Sequence, residues 1–303
     1  MIPLDLVSVD ALESLANNAQ QHTQSGQLPT YIPALGQANP DGFSVHLLTI
    51  TGQAIQVGDR PLPFALMSVM KPFILLYALE QVGAESVLRS VGIQPSDHAY
   101  NSLAQLEADR GFPRNPMINS GAIALCSRLP GATPHERCHR LCQWLNDQAQ
   151  THLRLDETIL ASVRDRPNEQ NQAIARYLDV TDHLATSAAE ALDLYEQLCC
   201  LSGTVSDLAQ LGLLLVAGAI APRHRQLVTA LMMTCGLYQY SGRFAVEVGL
   251  PAKSGVSGAV LALVPRQGAI ACYSPPLDAI GNSAASIWFL RQLAAQADLN
   301  VFG

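Results

Sequence analysis

Segments with strand character lie towards the two ends of this chain and helical segments fill its middle, an order that few folds can satisfy. Residues 43–50 are rich in β-branched and aromatic side chains and close on a Thr51-Gly52 turn. Much later, residues 256–264 form an apolar run, Pro265-Arg266-Gln267-Gly268 supplies a turn, residues 269–273 return, and Pro275-Pro276 ends the return. That succession reads as a β-hairpin. Between these ends, residues 135–148, 188–201, 205–215 and 223–233 suit helices, and a last helix is expected over 283–296. Strands at both ends with helices between them predict an α+β fold. One antiparallel sheet is built from the N- and C-terminal segments and flanked by helices, with an all-α part inserted. The sheet part takes residues 1–80 plus 230–303 and the helical part 81–229. Together they are expected to form one unit, with any functional site in the cleft between them.

At 303 residues the chain is long enough for a large core. Only 14% of it is charged, against about a quarter in ordinary globular proteins, so a core-rich folded protein is expected. A net charge of −7 and the lack of any basic run speak against a nucleic-acid partner. The opening Met1-Ile2-Pro3-Leu4-Asp5 lacks the charged and apolar regions of a secretory leader. The most apolar stretch, 211–221, is too short to span a bilayer, so no membrane partner is expected. Seven cysteines, scattered apart from Cys199-Cys200, fit reduced thiols and a cytoplasmic location. The tract Cys138-His139-Arg140-Leu141-Cys142 has the outline of a metal site. Cys138, Leu141, Cys142 and Leu145 fall at helical spacing, however, and read as a core stripe. No metal and no cofactor is expected.

Of the 18 basic side chains only two, Lys71 and Lys253, are lysine. Arginine stays protonated in proteins, whereas a lysine amine can be shifted to act as a base. Both lysines lie in motifs that need an amine. In Ser68-Val69-Met70-Lys71, Ser68 is placed at a helix start with Lys71 on the same face. A serine hydroxyl is a weak nucleophile until a neighbour takes its proton, and a neutral lysine serves that purpose in Ser–Lys variants of the serine triad. In Lys253-Ser254-Gly255, Lys253 is expected to keep the pocket positive and hold Lys71 neutral. Gly255 is expected to allow close approach to substrate. An S-x-x-K early and a K-[ST]-G late is the pattern of serine β-lactamases and penicillin-binding proteins. The bland alternatives are a helix cap for Ser68 and a solvated edge-strand charge for Lys253. Two motifs in the right order on the only two lysines favour catalysis.

These residues lie in longer stretches that resemble the glutaminase family. The stretches are Tyr31-Ile32-Pro33, Gly58-Asp59, Ser68-Val69-Met70-Lys71-Pro72, Asn115-Pro116-Met117-Ile118-Asn119-Ser120-Gly121, Gly249-Leu250-Pro251-Ala252-Lys253-Ser254-Gly255-Val256 and Ser274-Pro275-Pro276-Leu277-Asp278 with Gly281-Asn282-Ser283. The resemblance implies a serine β-lactamase-like fold and hydrolysis of L-glutamine to L-glutamate and ammonia without a metal. It further implies that Ser68 attacks the side-chain amide, Lys71 takes the proton, and the Ser68 and Val256 N–H groups hold the oxyanion. By the same resemblance Tyr238 relays protons near the nucleophile and contacts substrate, Tyr31, Asn119, Asn171 and Tyr195 hold the substrate, and the protein is a homo-oligomer.

One position departs from the family pattern. The family carries a glutamate, paired with the substrate α-ammonium, seven positions before the asparagine matched by Asn171; counted without a gap, Arg164 stands there. Three readings follow: the loop has shifted so that Asp165 or Glu169 supplies the carboxylate, the substrate is a related amide without a free α-ammonium, or a ligand-binding fold has lost its activity. The plainest alternative is that Arg164 points to solvent.

Overall fold

The structure, a computed structural model, describes residues 3–59, 62–166 and 168–303. Met1 and Ile2, part of the opening read for a leader, lie outside them. Helix α1 (Val9–Gln20) precedes a hairpin of β1 (Ser44–Thr49) and β2 (Ala54–Gly58). A short strand, β3 (Phe64–Ala65), leads through a 3-10 turn at Met67–Met70 into α2 (Lys71–Val82). The helical stretch follows as α3 (Ala84–Ser90), α4 (Leu103–Ala108), α5 (Asn119–Cys126) and α6 (Pro134–Ala149). After β4 (Arg154–Leu155) come α7 (Glu157–Asp165), α8 (Glu169–Val180), α9 (Ala188–Cys199), β5 (Leu201–Gly203), α10 (Val205–Val216), α11 (Pro222–Cys235) and α12 (Ser241–Glu247). The chain ends with β6 (Ala252–Ser254), β7 (Ala259–Val264), β8 (Gly268–Tyr273) and α13 (Ala284–Ala297).

Five of these strands form one antiparallel sheet in the order β2-β1-β8-β7-β6. The N-terminal hairpin joins the C-terminal one through β1 and β8, in register from Ser44↔Tyr273 to Thr49↔Gly268. Strand periodicity sorts the side chains. Val260, Ala262 and Val264 of β7 pack in a core with residues of α1 and α13, whereas Ala259, Leu261 and Leu263 join the core of α10 and the helical part. With both faces covered, β1 and β7 are buried at every position, which is why β7 reads as an apolar run without alternation. Edge strand β2 alternates between exposed and buried. Helix α10 lies directly on the sheet, and a β-carbon on its Gly212 would fall 2.5 Å from the Ala269 β-carbon.

The expected α+β architecture is present, and the five expected helices are α6, α9, α10, α11 and α13. Two boundaries differ. The strand expected over 256–264 begins only at Ala259, because Gly258, at φ +100°, donates to the Gly255 carbonyl at 2.9 Å and closes a turn. Leu201, expected in a helix, instead opens β5. Strand β5 is the centre of a small second sheet, β3-β5-β4, that the sequence reading lacks.

Candidate active site

The small sheet anchors the nucleophile turn. Strand β3 pairs with β5, and the Leu66 N–H donates to the Leu201 carbonyl at 2.8 Å, so the chain entering the turn is held against the chain leaving α9. Met67 then adopts φ +49°, a left-handed conformation that costs energy for a residue with a β-carbon and tends to persist at functional sites. Ser68 follows, one turn before Lys71. Neither the 3-10 turn nor α2 has a side-chain cap, so Ser68 is not the helix cap that its position suggests.

Lys71 is fully buried. Its Nζ donates to Asn119 Oδ1 at 2.6 Å and to the Met117 carbonyl at 3.2 Å. Among the described residues it makes no hydrogen bond to Ser68; the i, i+3 spacing brings the two to one turn without closing the contact. Catalytic hydrogen bonds commonly tighten only around a bound substrate. Burial lowers the Lys71 pKa from 10.5 to about 8, against the opposing influence of the nearby Cys199 and Cys126 thiols. Asn119 organises its surroundings. Its Oδ1 also accepts from the Tyr195 hydroxyl at 3.0 Å, and its Nδ2 donates to Asn171 Oδ1 at 2.8 Å. The Asn115 side chain fixes the preceding turn, accepting from Met117 N–H at 3.0 Å and donating to the Gln94 carbonyl at 2.7 Å.

Strand β6 brings the second motif against this turn. Lys253 stands on an edge strand yet is fully buried, so it is not a solvated edge charge. Its Nζ donates to the Ser254 carbonyl at 2.6 Å and lies 4.8 Å from the centre of the Tyr238 ring. Burial first and Lys71 second push its pKa well below the ordinary lysine value. Both amines are thus shifted towards the neutral form, and burial leads the shift of each. Gly255 permits the approach of the two segments. A β-carbon there would fall 2.7 Å from the Leu66 carbonyl oxygen and 3.2 Å from Val69 Cγ2. Within the protein, this close approach is to the Ser68 turn. Val256 follows, in the turn rather than in a strand. Among the described residues, neither the Ser68 N–H nor the Val256 N–H donates a hydrogen bond, although buried N–H groups are almost always paired.

Tyr238 has φ +58° at the start of a short turn ahead of α12. Its ring packs on Tyr100 at 4.8 Å between centres. Its hydroxyl lies beside the Ser68 and Ser254 hydroxyls, which favour its ionised form, but it meets hydrogen-bond geometry with neither. Burial dominates and raises its pKa, so the phenol keeps its proton. Asn282 joins this loop to the second motif by accepting from Ser254 Oγ at 2.6 Å and donating to the Leu237 carbonyl at 3.5 Å.

Ser68 opens into a cavity of about 300 Å3. Tyr31, Asn119, Asn171, Tyr195 and Val256, all singled out from the sequence, line it together with Ser68. Tyr238, Lys71 and Lys253 do not line it; the two lysines are buried in the protein beneath it. Tyr31 is half exposed, but its hydroxyl is sunk beside Tyr100, and burial raises its pKa. A crevice of about 390 Å3 around Leu35, Asp59, Asp156 and Tyr273 reaches neither Ser68 nor Val256.

Arg164 is not part of the cavity wall. It is partly exposed and forms an ion pair with Asp193 of α9. Asp165 and Glu169 are both exposed and do not line the cavity either. The carboxylate that does is Glu196, accompanied by Arg166, Asn168 and Tyr100, none of which the sequence reading selected. Glu196 is adjacent to the selected Tyr195, and Arg166 lies within the segment of the family departure, so a signal existed for both. Tyr100 belongs to no motif. Among the described residues no group of histidine, cysteine, aspartate or glutamate side chains is placed to hold a metal ion. Cys138, Leu141 and Leu145 are buried core residues.

Comparison with known proteins matches this geometry to a family. The family model for glutaminase matches residues 26–302. A glutaminase from Synechocystis sp. is 43% identical over 280 residues, covering 91% of this chain and 85% of that protein. One from Alkaliphilus oremlandii is 36% identical over 302 residues, covering 96% and 99%. Among solved structures, a probable glutaminase from Bacillus subtilis complexed with 6-diazo-5-oxo-L-norleucine has a TM-score of 0.89 at 30% identity, covering 98% of this chain and 97% of that one. The covalent complex of a Bacillus subtilis glutaminase with 5-oxo-L-norleucine has a TM-score of 0.87 at 31% identity, covering 96% and 98%. The sheet of terminal segments with its inserted helices is thus the β-lactamase-like arrangement of bacterial glutaminases. On its sequence and its fold alike, this chain belongs to the glutaminase family.

Proposed function

We propose that this protein hydrolyses L-glutamine to L-glutamate and ammonia through an ester on Ser68. The observation that carries this reading is the pair of unengaged N–H groups, on Ser68 and Val256, at a buried serine that opens into a cavity. Ser68 Oγ attacks the side-chain amide carbon while its proton passes to neutral Lys71. The two N–H groups receive the developing oxyanion, an arrangement that needs no reorganisation during the reaction. The Tyr238 phenol, kept protonated by burial, is suited to deliver a proton to the departing nitrogen. The C–N bond breaks, ammonia leaves, and water then cleaves the ester to release glutamate and restore the serine. Asn119 and Asn171 serve two ends at once, lining the cavity and holding Lys71 in place.

Other parts of this reading have separate support. Ser68, Lys253 and Val256 come from the sheet part (1–80 plus 230–303) and Asn119, Asn171 and Tyr195 from the helical part (81–229), which supports treating the two as one catalytic unit. A cytoplasmic location is supported by seven unpaired thiols, and a homo-oligomer by the family. Among the described residues no helix is long and apolar enough to cross a membrane. Arg164 lies outside the cavity wall, which speaks against another amide substrate and against binding without catalysis.

A mechanism-based probe tests the nucleophile. Incubation with 6-diazo-5-oxo-L-norleucine is expected to add one probe-derived group, located by peptide mass spectrometry on Ser68. No addition, or addition at another residue such as Cys199, would overturn the assignment.

A further inference from the structure

The cavity wall carries one carboxylate and one guanidinium among the described residues, Glu196 and Arg166. The remainder is tyrosine, asparagine, serine, a neutral thiol and apolar side chains. Glu196 is on α9, next to Tyr195 and one turn from Cys199, so the helix that holds the buried Asn119 network also presents this acid to the cavity. Its environment leaves it available. The acid one turn earlier, Asp193, takes the Arg164 guanidinium and accepts from Gln197 Nε2 at 3.0 Å. Among the described residues nothing donates a hydrogen bond to the Glu196 carboxylate. A partly buried carboxylate without a hydrogen-bond donor is costly, and the cost is relieved when an ammonium group binds. Burial, with Asp193, raises the Glu196 pKa and Arg164 opposes the rise. Ligand binding that supplies a positive charge would favour the ionised form.

We propose that Glu196 anchors the α-ammonium of the amino-acid substrate and that Arg166 pairs with its α-carboxylate, so that this cavity selects a zwitterionic head group. The inference rests on the proposed glutaminase reading and adds to it the residues that set its substrate selectivity. An α-amino acid carries one charge of each sign on two groups attached to the same carbon, and the wall offers one complement of each. Arg164, kept occupied by Asp193, does not compete for the carboxylate end. The chain thus meets the demand for an acid in the cavity from α9, at a position outside the segment where the sequence pattern led us to look for it.

The test compares L-glutamine with glutaramate, the same amide and carboxylate without the α-amine. Glu196→Gln keeps size and removes the charge. It is expected to raise KM for glutamine by about 10- to 100-fold with little change in kcat, the range for loss of a charge-assisted contact made equally in ground and transition states. Its kcat/KM for glutaramate is expected to stay within about threefold of the wild type, so that discrimination between the two amides collapses. Arg166→Gln is expected to weaken both substrates together, since both carry the carboxylate. Wild-type turnover of glutamine combined with an unchanged KM in Glu196→Gln would overturn this inference alone, as would equal losses on both amides in that variant. A wild type inert towards glutamine would overturn the underlying reading and this inference with it.

Discussion

Replacing Lys71 by methionine is expected to lower kcat for glutamine by about 10²- to 10⁴-fold, the usual contribution of a general base. Methionine nearly matches the lysine stem in volume, and the site is fully buried, so packing is largely retained. Asn119 Oδ1 loses the amine but keeps the Tyr195 hydroxyl at 3.0 Å. Removing a desolvated amine does not threaten the fold, and the melting temperature is expected to hold or rise. A loss of rate without a loss of stability is therefore the expected signature. The wild-type pH profile should agree. Lys71 accepts a proton only when neutral, and its pKa is lowered to about 8, so kcat/KM is expected to rise with pH through an apparent pKa near 8. That value belongs to Lys71 and Lys253 together, because the two amines repel one another's proton. In Lys71→Met the residual rate is expected to lose this limb. A variant that retains it at near wild-type rate would assign the base to another group.

Gly255→Ala is expected to cost about 10²- to 10³-fold in kcat, the range for loss of one oxyanion donor. The new methyl would meet the Leu66 carbonyl oxygen at 2.7 Å and Val69 Cγ2 at 3.2 Å. Backbone on one side cannot yield as a flexible side chain would, so β6 and the turn after it must move away from the Ser68 turn. The Val256 N–H moves with them. Other parts of the cavity wall, including Tyr31, Asn171 and Tyr195, are left in place, so on the proposed reading KM is expected to change by less than kcat. Steady-state kinetics separates the two. A KM rise with kcat intact would show that Gly255 shapes the binding pocket instead.

Much of this site was readable because its residue types are chemically restricted. A chain that uses arginine almost everywhere spends lysine only at Lys71 and Lys253, and both are fully buried at the serine turn. The apolar continuity of residues 259–264 follows directly from a strand covered on both faces. Other elements left weaker traces. Strands β3, β4 and β5 run for only two or three residues, too short for any periodicity, and exist because pairing across the chain holds them. Helix α1 had a legible stripe in Leu12, Leu15, Ala16 and Ala19 that the reading did not use. Arg164 drew attention by counting along one segment, whereas the cavity carboxylate, Glu196, is supplied by a different helix. Linear spacing reports neighbours on one element and is silent about what a second element brings. The same limit applies to Tyr100, which enters the cavity from a loop without a motif and packs on Tyr238.

Release of ammonia from L-glutamine, measured for the wild type beside Ser68→Ala, tests the central claim most directly. Steady release by the wild type and none above background from the folded variant is the predicted result. Equal release from both proteins, or none from the wild type, would contradict it.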